Sequence, residues 1–379
     1  MKKKILISAG EASGDLHAGN LVKALKQLDP QLSILAMGGD NLRKAGANVI
    51  IDCSDIAVVG IVEVLKNYRK IKKVLDQLIE IVVQQKPDLL ILVDYQEFNM
   101  KLAAAAKKNG TKVLFYIGPQ VWAWRPNRVY SIREKIDMMA VLFPFEVDFY
   151  SKAKVPVQFV GNPLVDEVKA DKKKNQLLQE YHLKPNDKII GLFPGSRNSE
   201  INKILPIQLE SARLLKKKYP SCQFILAVAS TLNKQSLEKL CEDYSELEIT
   251  FLTDSSYNVM SVCDSIITAS GTATLEIGLM GIPCVITYKI SAISYAIFKR
   301  MITIDKIGLV NIVAEKAIVK EFVQHQAQPQ LIVEEVSKIL EDNQYRKNMI
   351  AELKQVKKKL GLAGGSMNIA KLAYQMLEN

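Results

Sequence analysis

The sequence predicts an α/β protein built from two doubly wound domains, each with a mostly parallel sheet between layers of helices. Three observations predict this class. Short runs rich in Val, Ile and Leu alternate with segments of helical spacing along the whole chain, as in parallel sheets buried on both faces. The 379 residues are long for a single core. A polar, lysine-rich stretch at 168–188 separates two sets of predicted strands.

Six apolar runs predict the strands of a first domain, which we place at 1–168. In order they are KILISAG, LSILAMGG, DLLILVDY, KVLFYIG, MMAVLFPF and VQFVGNP. Each is followed by apolar residues at helical spacing, so strand and helix alternate.

Five further runs predict a second domain at 186–335: KIIGLFPGS, QFILAVAS, EITFLTD, SIITAS and PCVITYK. The tail regains helical spacing, and we expect its helices at 340–379 to complete the first domain. Two such domains facing each other would gather their strand-end loops around one cleft, where we expect the chemistry.

Composition excludes several classes of protein. With 48% hydrophobic and 24% charged residues the chain is an ordinary soluble one, and no apolar run reaches the roughly 18–20 residues of a membrane span. Five scattered cysteines without a CxxC pair, and three histidines apart from them, predict neither a metal site nor disulfides, so a reducing cytoplasm fits best. The net charge of +11 suits nucleic acid, an anionic membrane or a phosphorylated substrate, but no nucleic-acid recognition motif is present.

The first strand–helix turn has the sequence SAGEASGD. It matches neither the dinucleotide pattern GxGxxG nor the phosphate-binding loop GxxxxGK[ST]. Gly10 and Gly14 permit a tight turn and close approach of a ligand, whereas Glu11 and Asp15 disfavour a bound phosphate. Contact with a sugar or amide is one interpretation, and a glycine turn with Ser13 or Asp15 capping the helix is the other.

The turn FPGSRNSE begins the second domain in the same topological place. Gly195 allows a sharp turn, Ser196 can donate from its side chain, and Arg197 offers a fork of donors. A strand–turn–helix junction of this kind suits a pyrophosphate. The alternative is a capping serine beside a solvated arginine.

The stretch ITASGTATLEIGL contains a second such turn. Ser270, Gly271 and Thr272 fall at the helix start, and Glu276 lies one turn further, where a carboxylate could accept two ribose hydroxyls. A surface glutamate in a first turn is the alternative. Two anion-binding helix starts in one domain indicate a pocket for a nucleotide diphosphate.

Two stretches of the first domain contain further candidates. In DYQEFN, Asp94 ends an apolar strand and is a candidate general base, although such acids often act as caps. In GPQVWAWRPNRV, both tryptophans lie near Arg125 and Arg128, for stacking on a sugar or contact with a membrane interface, with core packing as the alternative. His17 is isolated and predicted to cap or pack.

An apolar patch followed by basic residues lies at 57–75. Such a patch can lie on an anionic membrane surface, and a core helix with a solvated basic face is the alternative. The residues that we expect to contact lipid are Val58, Val59, Ile61, Val62, Lys66 and Arg69.

Together these motifs resemble the lipid-A-disaccharide synthases, bacterial glycosyltransferases of the GT-B fold. AGEASGD, GIVEVL, VWAWR, FPFE, FVGNPL, PGSR and ASGTATLE occur in the family's order over nearly the whole chain. The resemblance implies that UDP-2,3-diacylglucosamine is joined to 2,3-diacylglucosamine 1-phosphate. It implies inversion, a β-1,6-linked disaccharide 1-phosphate and UDP as products, and no cofactor or bound metal.

The resemblance also implies residue roles. Asp94 would deprotonate the acceptor hydroxyl, and Arg197 would stabilise charge on the departing UDP. The donor UDP would be bound by Gly195, Ser196, Arg197, Ser270, Gly271, Thr272, Glu276 and Asn311. The acceptor would lie near Ser13, Gly14, Asp15 and Asn99.

The sequence departs from the family pattern at three positions. Gln96 replaces a usual proline, Glu97 replaces a common aspartate, and Asn162 stands where histidine is common. These changes favour a divergent paralogue with altered acyl preference or low activity, or one that only binds a nucleotide sugar. A UDP-sugar 2-epimerase is the other rival, though its need for several acids and histidines near the sugar fits three scattered histidines poorly.

The resemblance implies a location as well. Both substrates carry acyl chains, so the protein would lie on the inner face of the inner membrane of a Gram-negative bacterium, attracted by anionic headgroups. A homodimer is compatible with the sequence.

Overall fold

The computed structural model describes residues 2–55, 61–229, 231–291, 295, 305–361 and 363–378; at 55 and 61–66 it describes the backbone alone. The chain forms two compact units. Unit 1 comprises Met1–Pro163 and Leu362–Asn379, and unit 2 comprises Leu164–Gly361.

The described part of unit 1 contains a seven-stranded parallel sheet in the order β3-β2-β1-β4-β5-β6-β7. The strands are β1 Lys4–Ala9, β2 Ser33–Gly38, β3 Asn48–Asp52, β4 Leu89–Val93, β5 Lys112–Tyr116, β6 Met138–Val141 and β7 Val157–Phe159. The helices between them are α1 Ala12–Leu28, α2 Asp40–Lys44, α3 Ile61–Gln85, α4 Gln96–Lys108, α5 Val121–Trp124, α6 Val129–Arg133 and α7 Pro144–Lys152. Short 3₁₀ turns lie at Cys53–Asp55 and Pro126–Arg128.

The sheet of unit 1 is buried on both faces because its central strands alternate apolar side chains between two cores. Ile5 and Ile7 of β1 pack with α1 in one core, and Leu6 of β1 packs with α3 and α4 in the other. The strand order reverses between β1 and β4, whose carboxyl ends are side by side in the register Ala9↔Val93. Loops that follow these two strands therefore meet at one edge of the sheet.

The described part of unit 2 contains a six-stranded parallel sheet in the order β10-β9-β8-β11-β12-β13. The strands are β8 Ile189–Phe193, β9 Gln223–Ala227, β10 Thr250–Leu252, β11 Ser265–Ala269, β12 Cys284–Tyr288 and β13 Lys320–Val323. The helices are α8 Leu164–Glu167, α9 Lys174–Glu180, α10 Asn198–Lys218, α11 Lys234–Leu240, α12 Ser256–Val262, α13 Thr272–Leu279, α14 Leu309–Ala314, α15 Pro329–Glu341 and α16 Asn343–Lys359. Two 3₁₀ segments lie at Glu242–Leu247 and Gln324–Gln326.

The α/β class with two parallel sheets is confirmed, and two strands appear in addition to the predicted ones. β3 and β13 lie at sheet edges, where each pairs with one neighbour. Their sequences, NVIID and KEFV, include polar residues. An edge strand does not need an unbroken apolar run, and so its sequence carries a weaker signal.

The predicted tail, 340–379, is divided between the two units. Helix α16 packs against α13, α14 and α15 of unit 2. Only the last helix, α17 Gly365–Glu378, belongs to unit 1, where it packs on α1. Met349, Leu353 and Val356 of α16 are buried in this packing, and helical spacing cannot reveal which unit buries them.

Candidate functional site

A cavity of about 360 Å³ in unit 2 lies at the carboxyl edge of its sheet. The turns after β8 and β11 form one side of it, because these strands are neighbours in the register Phe193↔Thr268. Its lining includes most of the residues predicted to bind a nucleotide: Gly195, Ser196, Arg197, Ser270, Gly271, Thr272 and Glu276. We call it the unit 2 cavity.

The two turns present the starts of α10 and α13 to this cavity. Gly195 has φ +108°, and a side chain there would collide with Glu200. Glycine is therefore required for the turn itself. Each helix start carries backbone N–H groups without intrahelical partners and a partial positive charge. The arrangement suits a bound diphosphate.

Arg197 and Glu276 contribute charge to the unit 2 cavity. The Arg197 side chain is 69% exposed and pairs with Glu200 at 3.4 Å, a weak and exchangeable interaction. Burial raises the pKa of Glu276, while a hydrogen bond from the Tyr257 hydroxyl, at 3.4 Å, opposes that rise. Glu200 and Asp254 also line the cavity without having been predicted. Glu200 lies within the motif FPGSRNSE, whereas no sequence pattern marks Asp254.

Asn311, predicted as a donor ligand, lies in the core of unit 2 and outside the cavity lining. Its Nδ2 donates to the Val319 carbonyl at 2.8 Å and to Glu321 at 2.7 Å, and its Oδ1 accepts from the N–H groups of Ile318 and Val319. Both the nitrogen and the oxygen of this amide therefore have hydrogen-bond partners within the protein. Glu321 also accepts from the Ile307 N–H, and the Ile307 carbonyl accepts from the Ser270 hydroxyl. Among the described residues, Asn311 is thus linked to the cavity through Glu321, Ile307 and Ser270.

In unit 1, Asp94 follows β4 in an unusual turn. Asp94 and Tyr95 have φ values of +51° and +47°, and two consecutive left-handed non-glycine residues indicate strain of the kind found at functional sites. Asn99 holds this turn: its Nδ2 donates to the Asp94 carbonyl at 2.6 Å, and its Oδ1 accepts from the Ser8 hydroxyl at 2.6 Å. Asn99 is fully buried, so it supports Asp94 and does not face a ligand.

The Asp94 carboxyl is partly buried beside His17. Burial raises the pKa of Asp94, against a hydrogen bond from the Tyr95 N–H and the charge of His17. Burial lowers the pKa of His17, and Asp94 opposes this shift. In the described structure the buried Nδ1 of His17 has no protein hydrogen-bond partner. The sequence predicted that His17 would cap or pack. The structure adds an electrostatic interaction between His17 and Asp94, which that prediction did not include.

The residues of the SAGEASGD turn have separate roles. Asp15 is 3% exposed and accepts hydrogen bonds from the N–H groups of Gly39 and Asn41, at 2.6 and 2.9 Å, and so anchors the start of α2. Gly14 packs closely on the β4 backbone at Val93. Of the predicted acceptor-side residues, Ser13 alone is exposed. Asp15 therefore does not cap α1, as the alternative interpretation held, because its carboxylate is bound to the start of α2 instead.

A second cavity, of about 420 Å³, adjoins Asp94. Its walls are more apolar than polar and come from α3, the Asp94 turn and α4. We call it the Asp94 cavity; it is lined by Glu11, Tyr68, Ile71, Lys72, Leu75, Asp94, Tyr95, Gln96, Glu97, Phe98 and Lys101.

The motifs VWAWR and FPFE contact each other in unit 1. The buried Trp122 donates from Nε1 to Oε1 of Glu146 at 3.0 Å, and Oε2 of Glu146 accepts from the Phe143 N–H at 3.0 Å. Trp124 is 38% exposed, with the Arg125 guanidinium 5.1 Å from its ring centroid. One tryptophan therefore packs in the core, while the other remains available for a ligand or a surface.

The predicted lipid-contacting residues are only partly described. Val58 and Val59 lie outside the described residues. Ile61, Val62 and Lys66 are in α3 where only the backbone is described, and Arg69 is exposed. Within the described ranges, no helix has the length and apolar character needed to span a bilayer. Nor do three His, Cys, Asp or Glu side chains come together there as metal ligands would.

Comparisons with solved structures identify the fold. The UDP-GlcNAc 2-epimerase of Neisseria meningitidis, solved with UDP-GlcNAc, superposes with a TM-score of 0.67 at 15% identity, over 98% of this chain and all of that one. The glycotransferase of kitacinnamycin superposes with a TM-score of 0.66 at 14% identity, over 99% of each chain. At these identities the likeness shows the GT-B fold alone.

Comparisons of sequence are more specific. The family described as lipid-A-disaccharide synthetase matches residues 5–375. The lipid-A-disaccharide synthase of Geobacter sulfurreducens is 48% identical over 374 residues, covering 99% of this chain and 97% of the relative. The chain belongs to the lipid-A-disaccharide synthase family.

Proposed function

We propose that this protein transfers 2,3-diacylglucosamine from UDP to 2,3-diacylglucosamine 1-phosphate, giving a β-1,6-linked disaccharide 1-phosphate and UDP. The assignment of the UDP-sugar donor to unit 2 rests on one observation. Seven predicted nucleotide-binding residues line a single cavity in that unit. Family membership supports a UDP-sugar donor and a lipid-linked sugar acceptor.

In this proposal unit 2 binds the donor. The starts of α10 and α13 receive the diphosphate, and Glu276 accepts the ribose hydroxyls. Arg197 exchanges its weak pairing with Glu200 for the diphosphate and stabilises the charge that develops on it as it leaves.

Unit 1 supplies the base and the acceptor site. Asp94 takes the proton of the acceptor's 6-hydroxyl while the hydroxyl oxygen forms a bond to the anomeric carbon of the donor. The bond from that carbon to UDP breaks, its electron pair leaves with UDP, and the anomeric configuration inverts. The apolar walls of the Asp94 cavity suit an acylated acceptor.

Replacing Asp94 tests this function directly. With both lipid substrates, Asp94→Asn should release UDP at least about 100-fold more slowly than the unchanged protein, since general-base catalysis contributes about 10²–10⁴-fold. Calorimetry should show unchanged UDP binding. Asp76→Asn, the same change at an exposed site on α3, is the matched control. Equal rates for Asp94→Asn and the control would refute the assignment, and conversion of UDP-N-acetylglucosamine without an acceptor would favour the epimerase rival.

We also propose that α3 contacts an anionic membrane surface. Tyr68, Ile71 and Leu75 face the Asp94 cavity, while Arg69 and Lys73 of the same helix are exposed. One helix thus presents three largely apolar side chains and Lys72 to the proposed acceptor site, and further cations to the outside.

Charge reversal on α3 tests the membrane proposal. Arg69→Glu/Lys73→Glu should sediment at least about tenfold more weakly with phosphatidylglycerol vesicles, since each basic residue near such a surface contributes about 1 kcal/mol. Lys184→Glu/Lys217→Glu changes the charge of unit 2 equally at exposed positions and should bind as the unchanged protein does. Equal loss in both variants would indicate a nonspecific effect of net charge.

A further inference from the structure

Unit 1 contains a third concave site, which none of the roles above uses. It has a volume of about 280 Å³ and lies between α4 and the segment from Pro119 to Lys135. We call it the basic pocket; it is lined by Gln96, Glu97, Met100, Lys101, Ala104, Pro119, Val121, Arg128, Ser131, Ile132 and Lys135.

The cations of this pocket are oriented by neighbouring groups. Glu97, in the first turn of α4, pairs with Nη2 of Arg128 at 2.5 Å. Lys135 donates from Nζ to the Ser131 hydroxyl at 2.7 Å. Lys101, one turn after Glu97, has no carboxylate within ion-pair distance among the described residues.

The balance of charge in the pocket is positive, because three cations face one carboxylate. Val121 and Ile132 in its wall are buried and apolar, and apolar walls strengthen electrostatic attraction. Arginine and lysine donors with a hydroxyl suit a tetrahedral oxyanion, and a phosphate monoester carries roughly −1.5 to −2 charges at neutral pH. Glu97 would repel such an anion, but it also fixes the Arg128 guanidinium.

The basic pocket adjoins the cavity of the proposed base. Gln96, Glu97 and Lys101 line both it and the Asp94 cavity. A sugar whose hydroxyl lies at Asp94 can therefore extend a second polar group along the start of α4. We propose that the basic pocket binds the phosphate of the acceptor, through Lys101, Arg128, Ser131 and Lys135. This inference rests on the proposed function.

Lys101→Gln/Lys135→Gln tests the proposal without disturbing the Arg128–Glu97 pair. Lys108→Gln/Arg133→Gln is the control, since it removes the same charge from exposed positions in α4 and α6 that do not line the pocket. UDP release is measured with 2,3-diacylglucosamine 1-phosphate and with the same lipid lacking the phosphate. The unchanged protein and the control should prefer the phosphorylated acceptor in kcat/KM. In Lys101→Gln/Lys135→Gln that preference should fall by about tenfold or more.

A second measurement separates failure of this inference from failure of the proposed function. Binding of glucosamine 1-phosphate, followed by ³¹P NMR, should weaken in Lys101→Gln/Lys135→Gln and not in the control, whether or not UDP is released. Binding of phosphatidylglycerol vesicles should be unchanged, because a lipid headgroup is not the proposed ligand. Equal loss of rate with both acceptors, or unchanged glucosamine 1-phosphate binding, would overturn the inference. Absence of UDP release by the unchanged protein would refute the proposed function alone.

Discussion

At the scale of single residues, Glu146 shows how a buried carboxyl joins two motifs. It is 5% exposed, and burial raises its pKa to about 7 against the opposing hydrogen bonds from the Phe143 N–H and Trp122. Its partners explain why an acid is tolerated in the core: both carboxyl oxygens accept hydrogen bonds. Trp122 of VWAWR and Glu146 of FPFE are 24 residues apart in the chain, and their contact cannot be read from either motif.

The pKa of Glu146 predicts how stability changes with pH. Between its unfolded value of about 4.5 and the folded value of about 7, the folded chain binds more protons than the unfolded chain. The free energy of unfolding therefore falls as pH rises through this range, by up to about 3 kcal/mol from this group. Trp122 lies against Glu146, so tryptophan fluorescence in urea follows this region. Glu146→Gln should remove this dependence, whereas Glu134→Gln, an exposed control, should retain it. Parallel pH profiles for all three proteins would contradict the prediction.

At the scale of elements, buried polar side chains hold turns and helix starts in place. Asn99 fixes the Asp94 turn from α4, and Asp15 fixes the start of α2 from α1. In unit 2, Asn311 fixes the backbone at Ile318 and Val319. A polar residue in a motif can therefore be essential to the shape of a site without contacting its ligand.

The Asn311→Ala variant distinguishes a structural role of Asn311, in holding the backbone, from direct binding of UDP. Removing the amide leaves buried backbone groups without partners, so we expect a loss of roughly 2–4 kcal/mol in stability. Hydrogen exchange should accelerate in 307–321, and UDP binding should weaken only as that segment opens. Asn348→Ala, at an exposed position of α16, should change neither quantity. If UDP binding were lost while exchange remained slow, Asn311 would be a ligand, as the family resemblance implies.

At the scale of the whole molecule, the C-terminal helix returns to the first unit. Ile369, Leu372 and Leu377 of α17 are at most 4% exposed and belong to the core formed by β1, β4 and α1. The core of unit 1 is therefore assembled from the two ends of the chain.

Deleting residues 362–379 should unfold unit 1. Exposing three large aliphatic side chains costs roughly 5 kcal/mol or more, comparable to the total stability of an ordinary domain. Both tryptophans are in unit 1, so their fluorescence should shift to that of an unfolded chain. A synthetic peptide of 362–379 added in excess should restore the folded signal. Native fluorescence in the truncated chain without the peptide would contradict the prediction.

Most of the fold could be predicted from the sequence because central parallel strands must be apolar on both faces. The sequence did not predict the edge strands β3 and β13, nor the division of the tail between α16 and α17. Both depend on which segments pack next to each other in the folded chain. The residues that line the unit 2 cavity at its two helix starts were also predictable, since a glycine turn after a strand sets its own local geometry. The sequence did not predict that Asp15, Asn99 and Asn311 support the backbone through buried hydrogen bonds.

The sequence by itself determined the alternation of strands and helices, the two glycine turns of unit 2 and the family. The tertiary structure decided which polar residues face a cavity and which support the backbone, and it placed His17 and Asp94 within electrostatic reach. It also brought Lys101, Arg128 and Lys135 into one basic pocket. The reason is physical: apolar patterning and turn chemistry act between near neighbours in the chain, whereas burial, charge and hydrogen bonding act between segments that only folding brings together.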